Sequence, residues 1–159
     1  LSHPLPLFSK PCQRRLYVGT EVSTQGATAT GSFHELLKRD STFATANKRD
    51  DGSIYFQTQF RRVVTPTNKN ALTVTRRYSQ AGLTEEIFLY DWTTNALPYG
   101  NWVKVSTRPG PTSLETLELK IGNLSRFRDP EGSIYCYIYA TGGPSNATLS
   151  VDQIAFATE

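Results

Sequence analysis

The sequence predicts an all-β protein built as a sandwich of antiparallel strands, and three observations carry that expectation. Apolar and polar residues alternate with a period of two in short segments that recur along the chain. Clusters of Gly, Pro, Asn and Asp separate these segments, where alternating βα units would show helical patterns. Composition agrees: of 159 residues, 38% are hydrophobic, 11% aromatic and only 19% charged. Thr, Ser and Asn fill the difference, which suits strands with polar β-branched outer faces and does not suit a disordered chain. A chain of this length fits one domain.

Residues 1–14, LSHPLPLFSKPCQR, are the first element. Pro4, Pro6 and Pro11 exclude a helix or a central strand, because proline lacks the N–H and fixes φ. Leu1, Leu5, Leu7 and Phe8 remain, so an extended apolar arm is expected, packed along the edge of its own domain or of a neighbour's. Residues 15–159 then form the sandwich. Alternation places strands near Leu16–Val22, Ala27–Gly31, Thr42–Ala46, Ser53–Val63, Leu72–Tyr78, Glu85–Trp92, Trp102–Ser106, Leu114–Ile121, Ser133–Ala140 and Thr148–Phe156. The breakers are Asp51-Gly52, Pro66 to Asn70, Ala81-Gly82, Pro109 to Pro111, Asp129 to Gly132 and Gly142 to Asn146. Phe33 to Lys38 gives the one helical hint.

Alternation also divides each strand into two faces. In GSIYCYIYA, Ile134, Cys136, Ile138 and Ala140 share one side and Tyr135, Tyr137 and Tyr139 the other. In EEIFLYDW, Phe88, Tyr90 and Trp92 oppose Ile87, Leu89 and Asp91. One side of each must meet the core. Thr84 to Val105 reads as a hairpin whose connection, Thr93 to Asn101, is longer than hairpins favour. With Leu97, Pro98, Tyr99 and Gly100 inside it, that loop is the best candidate for a specific contact.

Leu72-Thr-Val-Thr followed by IFLYDWTT and WVKV, then GNLSRFRDPEGSIYCYIY, then LSVDQIAF, carry a resemblance over roughly residues 70–157. On these stretches the second half resembles a family of β-sandwich modules found in exported bacterial surface proteins. The first half matches it through GTEVSTQGATATGSFHELLKRDSTF, a glycine-flanked strand followed by a leucine and an aspartate. The resemblance implies a jelly-roll-like sandwich and an extracellular address. The family lends no catalytic residues, and its members are mostly without an assigned function. The 93–101 loop and the N-terminal arm depart from its pattern.

The formal charge of +3 does not mark a nucleic-acid partner, because Lys and Arg are scattered. In a strand, the pairs Arg14-Arg15, Arg61-Arg62 and Arg76-Arg77 each send their side chains to opposite faces, and solvated positions are expected for them. No run approaches the ~20 apolar residues of a membrane span. The absence of methionine, even at Leu1, is expected of a processed, exported chain, and equally of an excised domain.

Cys12 and Cys136 belong to no CxxC pair, and His3 and His34 are too few to complete a zinc site with them. A disulfide is expected, closing a long loop worth roughly 4–5 kcal/mol in chain-entropy models. It could also join Cys12 of one copy to Cys136 of the next. The alternative is two buried free thiols.

Catalysis finds little support. Asp91 and Asp152 interrupt apolar strands, but a buried aspartate more often anchors a turn than serves as a general acid or base. Two histidines make no Ser-His-Asp case, and no phosphate loop or dinucleotide fingerprint occurs. The chain is read as non-enzymatic and without a cofactor. A structural calcium ion would draw on Asp40, Asp50, Asp51 and Asp152, although no segment has the dense acids of an EF-hand loop. A sugar platform would use the stripe Tyr135, Tyr137, Tyr139, or the set Trp92, Tyr99, Trp102; against it, aromatic strand faces are usually core, with the tryptophans plugging the sandwich end. Asn123-Leu-Ser and Asn146-Ala-Thr are N-glycosylation sequons beside turns.

Two functions follow. The first is a non-catalytic extracellular structural or adhesive subunit, which would self-assemble by exchanging its N-terminal arm with other copies or bind cell-envelope components. The second is a carbohydrate-binding module with a polysaccharide partner.

Overall fold

The computed structural model describes residues 15–23, 29–30, 43–63, 70–93 and 101–158. In chain order the described strands are β1 (Arg15–Val18), β2 (Thr20–Ser23), β3 (Ala29–Thr30), β4 (Ala44–Asn47), β5 (Ile54–Phe60), β6 (Asn70–Tyr78), β7 (Leu83–Asp91), β8 (Asn101–Pro109), β9 (Glu115–Lys120), β10 (Ile134–Gly142) and β11 (Thr148–Thr158). A 3-10 turn, Leu124–Phe127, precedes β10. Each expected strand has a counterpart, and the first is divided in two at Gly19. The N-terminal arm with Leu5, Leu7, Phe8 and Cys12, the helical hint at 33–38, and the loop residue Tyr99 lie outside the described residues.

Two antiparallel sheets form the sandwich. One runs β3-β4-β11-β6-β9, with β1 also paired to β11; the other runs β2-β5-β10-β7-β8. The long β11 takes β4 along its first half and β1 along its second, with β6 on its other edge. Its register slips between Val151 and Gln153, so Asp152 is the extra residue of a bulge, and it is 2% exposed.

The chain crosses from one sheet to the other at Gly19. β1 pairs with β11, while β2 pairs with β5 in the opposite sheet. The Gly19 N–H donates to the Ile154 carbonyl at 2.9 Å. A Cβ here would fall 2.7 Å from Thr58 Oγ1 and 2.9 Å from Ile154 Cγ2, so only glycine lets the backbone pass between the layers.

The core takes the aliphatic faces. Ile54, Phe56, Phe60, Leu72, Val74, Ile87, Leu89, Ile134, Ile138, Leu149, Val151, Ile154 and Phe156 are fully buried between the sheets. Cys136 is among them, and it is a free thiol. The expected disulfide with Cys12 is therefore corrected: Cys136 sits in phase with Ile134 and Ile138, so its sulfur points into the core. Burial pushes its thiol pKa far up and keeps it protonated.

Arg76 corrects the expectation that the arginine pairs are solvated. It shares the phase of Leu72, Val74 and Tyr78 on β6 and is fully buried, whereas Arg77 is exposed with its guanidinium 4.6 Å from the Phe43 ring centre. Arg76 donates from Nε (2.9 Å) and Nη2 (2.6 Å) to the two oxygens of Glu85, which is itself fully buried on β7. Arg76 Nη1 donates to the Glu115 carbonyl at 3.3 Å, and the Tyr78 hydroxyl donates to Glu85 at 2.8 Å. Burial, then the adjacent Glu85 carboxylate, hold the Tyr78 hydroxyl well above its ordinary pKa. A bidentate ion pair thus joins the two sheets, each charge meeting fixed partners as a buried pair requires.

Candidate functional site

Because Ile, Leu, Phe and Cys side chains of one phase fill the core, alternation turns the Tyr- and Trp-bearing faces of β5, β7, β8 and β10 outward. Tyr55, Phe88, Tyr90, Trp92, Trp102, Tyr135, Tyr137 and Tyr139 are all exposed or half-buried on the outer side of one sheet. The reading of these rings as core or as a sandwich-end plug is thereby corrected. Sheet register sets their neighbours. On β10, Tyr137 faces Gln57 of β5 on one side and Phe88 of β7 on the other, and Tyr90 faces Trp102 of β8.

Tyr137 stacks on Tyr55 (centroids 4.8 Å, 25° between planes) and on Phe88 (4.6 Å, 18°). These partners flank it from opposite strands, so both faces of the Tyr137 ring are covered. Burial, then Glu86 and Tyr139, raise the pKa of its hydroxyl. The indoles are arranged differently. Trp102 meets Tyr90 at 5.0 Å and Tyr137 at 4.6 Å, both near-perpendicular, and Trp92 meets Tyr90 and Tyr135 edge-on at 4.6 and 5.8 Å. Trp92 is 37% exposed.

Polar groups border the rings. The Tyr55 hydroxyl donates to Gln57 Oε1, leaving the Gln57 amide nitrogen as a donor at the β5 edge. Lys104 and Glu86 pair at 3.0 Å on the β8 side. Arg49 lies 5.2 Å from the Tyr55 ring centre and 6.0 Å from that of Tyr139. It is anchored by two bonds to Ser53 Oγ (3.0 and 2.7 Å) and by Asp51 at 3.2 Å. Hydrogen bonds from the Ser53 hydroxyl and N–H, then the charge of Arg49, lower the Asp51 pKa.

Asp91 anchors the other end. It is 1% exposed and continues the core phase of Leu83, Ile87 and Leu89. Its Oδ1 accepts the Thr93 N–H and hydroxyl (2.8 and 2.7 Å), and its Oδ2 accepts Arg126 Nε and Nη2 (2.8 and 2.6 Å). The Trp92 N–H donates to the Arg126 carbonyl at 2.9 Å. Burial pushes the Asp91 pKa up, but the Thr93 and Arg126 bonds outweigh it and the net shift is downward. Asp91 therefore anchors a turn, and the turn presents Trp92.

Beside Tyr135 a cleft of about 570 Å³ opens, lined by Gln59, Arg61, Arg62, Glu131, Ser133 and Tyr135. Of the calcium candidates, Asp50 and Asp51 lie at the exposed 49–53 turn and Asp152 in the β11 bulge, while Asp40 lies outside the described residues. Among the described residues no three His, Cys, Asp or Glu side chains gather to hold a metal. Asn123 and Asn146 are both exposed; Asn123 is left-handed (φ 49°) and its Oδ1 accepts the Ser125 hydroxyl.

Of the expected contact residues, the structure brings Trp92, Trp102, Tyr135, Tyr137 and Tyr139 together on one face. Tyr55, Phe88, Tyr90, Arg49 and Gln57 join them without having been singled out. Their signal was in the alternation, since each lies in the outward phase or at the turn that feeds it.

No protein-family model and no curated protein matches the chain. Solved structures do. The carbohydrate-binding module TmCBM61, in complex with beta-1,4-galactotriose, aligns over 94% of this chain and 90% of its own, with TM-score 0.50 and 13% identity. A mutant of the family 29 carbohydrate-binding module CBM29-2 complexed with mannohexaose aligns over 92% and 94%, with TM-score 0.51 and 10% identity. The CBM22-1-GH10 modules of a Clostridium thermocellum xylanase, complexed with xylohexaose, align over 90% of this chain and 29% of that one, with TM-score 0.56 and 8% identity. What this chain shares with them is the fold, the expected jelly-roll-like sandwich.

Proposed function

We propose that the chain is a non-catalytic carbohydrate-binding module whose polysaccharide ligand lies across the outer face of the β2-β5-β10-β7-β8 sheet. The observation that carries this reading is the contiguous aromatic face, bordered by Gln57, Lys104, Glu86 and Arg49 and left facing solvent although other apolar residues already form the core. Apolar ring surface edged by hydrogen-bonding groups suits the alternating C–H and hydroxyl faces of a sugar. The sandwiches solved with bound oligosaccharides support it. Trp92 and Trp102 form the platform, because Tyr137 already has both ring faces covered by its neighbours. Tyr99 enters this reading from the sequence alone, as an aromatic residue between the two tryptophans in the chain, and the reading carries an extracellular address with it.

Affinity electrophoresis of the parent in gels of β-1,4-galactan, mannan and xylan tests this. Retention by at least one polymer is expected, reduced by Trp102→Ala and by Tyr99→Ala; free migration of the parent in every gel sinks the reading. Self-assembly through residues 1–14 has less support, because its covalent form needs a Cys136 that the core encloses. Among the described residues no helix is long and apolar enough to cross a membrane.

A further inference from the structure

The cleft beside Tyr135 differs in chemistry from the aromatic face it adjoins. β5 ends at Phe60, and Arg62 then takes the left-handed conformation, φ 53°, which non-glycine residues adopt sparingly. Consecutive strand residues point to opposite faces. The turn at Arg62 breaks that rule, so Arg61 and Arg62 both line one cleft. Such a backbone must be held by its surroundings. The next residue does so: the Val63 N–H donates to the Gly132 carbonyl at 2.8 Å, and the Val63 carbonyl accepts Arg128 Nε at 2.6 Å. Among the described residues, the cleft wall carries the side chains of Arg61 and Arg62 and the carboxylate of Glu131. Tyr135 belongs both to this wall and to the aromatic face, through its ring contact with Trp92. A chain lying on Trp92 and Tyr135 therefore passes the two arginines.

We infer that this cleft is an anion subsite of the glycan-binding face, taking the carboxylate or sulfate substituent of an acidic sugar unit on Arg61 and Arg62. The inference rests on the carbohydrate-binding reading. The guanidinium fork pairs its N–H donors with planar or tetrahedral oxyanions. Gln59 and Ser133 supply hydrogen-bonding groups for the adjoining hydroxyls.

The test is affinity electrophoresis on matched pairs of polymers: polygalacturonate against its fully methyl-esterified form, and dextran sulfate against dextran. The first pair reports a carboxylate, the second a sulfate. The acidic member of at least one pair is expected to bind at least tenfold more tightly than its neutral partner. Arg62→Asn, which tolerates the left-handed backbone, should remove most of that difference, as should Arg61→Gln. Arg77→Gln, on the opposite sheet, should leave it unchanged. Equal binding of acidic and neutral polymers, or an equal loss in Arg77→Gln, overturns the subsite while leaving the platform standing. Binding of no polymer, acidic, neutral or among the galactan, mannan and xylan gels, overturns both.

Discussion

Asp91 Oδ2 accepts two hydrogen bonds from Arg126, at 2.8 and 2.6 Å, and the carbonyl of the same arginine accepts the N–H of Trp92. A buried carboxylate is thereby coupled to an exposed indole one residue away. Asp91→Asn is expected to cost about 1–2 kcal/mol in urea unfolding, the lower part of the range for hydrogen bonds to charged groups, since Arg126 is partly exposed. The folded-state pKa of Asp91 is depressed, so its contribution is complete above the unfolded value of about 3.9 and fades as pH falls through the folded pKa. The parent should lose stability below about pH 4, and Asp91→Asn should lose less over the same interval. An identical acid slope in both proteins contradicts this.

Glu85→Gln should be the more damaging change. It leaves the fully buried Arg76 guanidinium without its bidentate partner and with only the half-exposed Glu115 carboxylate 3.7 Å away, for which about 3 kcal/mol is expected, the lower end for a broken buried pair. Replacing the pair together, Arg76→Met with Glu85→Leu, should recover most of that loss, because burying two charges costs much of what their attraction returns. Denaturant midpoints of the two single variants and the double variant measure the coupling.

The two kinds of aromatic residue should separate by assay. Trp92→Ala is expected to weaken polysaccharide binding about 10–30-fold, or about 1.4–2 kcal/mol, with little change in unfolding. Tyr137→Ala removes two stacked pairs and should lower stability by about 1–3 kcal/mol. Tyr137→Phe keeps the stack and should leave the unfolding midpoint nearly unchanged. A stable Tyr137→Ala variant would show that the stack is not structural.

Native protein should expose at most one thiol to a disulfide reagent, and two in denaturant, because Cys136 is enclosed. Mass under non-reducing conditions should stay that of a single chain unless Cys12 pairs with itself in another copy. Cys136→Ser, which buries a hydroxyl in place of the sulfur, should cost about 1–3 kcal/mol.

Gly19→Ala tests the crossing between the sheets. The added methyl carbon would meet Thr58 and Ile154 well inside contact distance, and about 1–3 kcal/mol of destabilisation is expected from overpacking. Thermal unfolding of the single variant measures it.

Much of this architecture was legible in the sequence, because period two and turn residues are local signals. Strand positions followed from them, and the first strand divided only where a close approach demands Gly19. Which face is inner was not legible. The stretch 134–140 has a Tyr stripe as regular as its Ile and Cys stripe, and alternation treats the two alike. The choice depends on what the facing sheet brings: Ile154, Phe156, Val151 and Leu149 arrive from β11 with a matching apolar surface. Arg76 was read as solvated because of its charge and Glu85 was not singled out, although each keeps the phase of the apolar residues around it; Asp91, expected as a buried anchor of a turn, is one. Phase was the better guide. The Arg61-Arg62 pair escaped for the opposite reason, since a left-handed residue cancels the alternation on which its reading depended.

The outward rings and the inward aliphatics occupy alternate positions of the same strands, so a single stretch such as 134–140 carries two independent inheritances. Substitutions at Tyr135 or Tyr139 alter what touches the outside world, and those at Ile134, Cys136 or Ile138 alter what holds the layers together. A lineage of such chains can remodel its outer surface by drift at 135 and 139 while the even-numbered positions of β10, and the stacked Tyr137, stay under the constraint of folding.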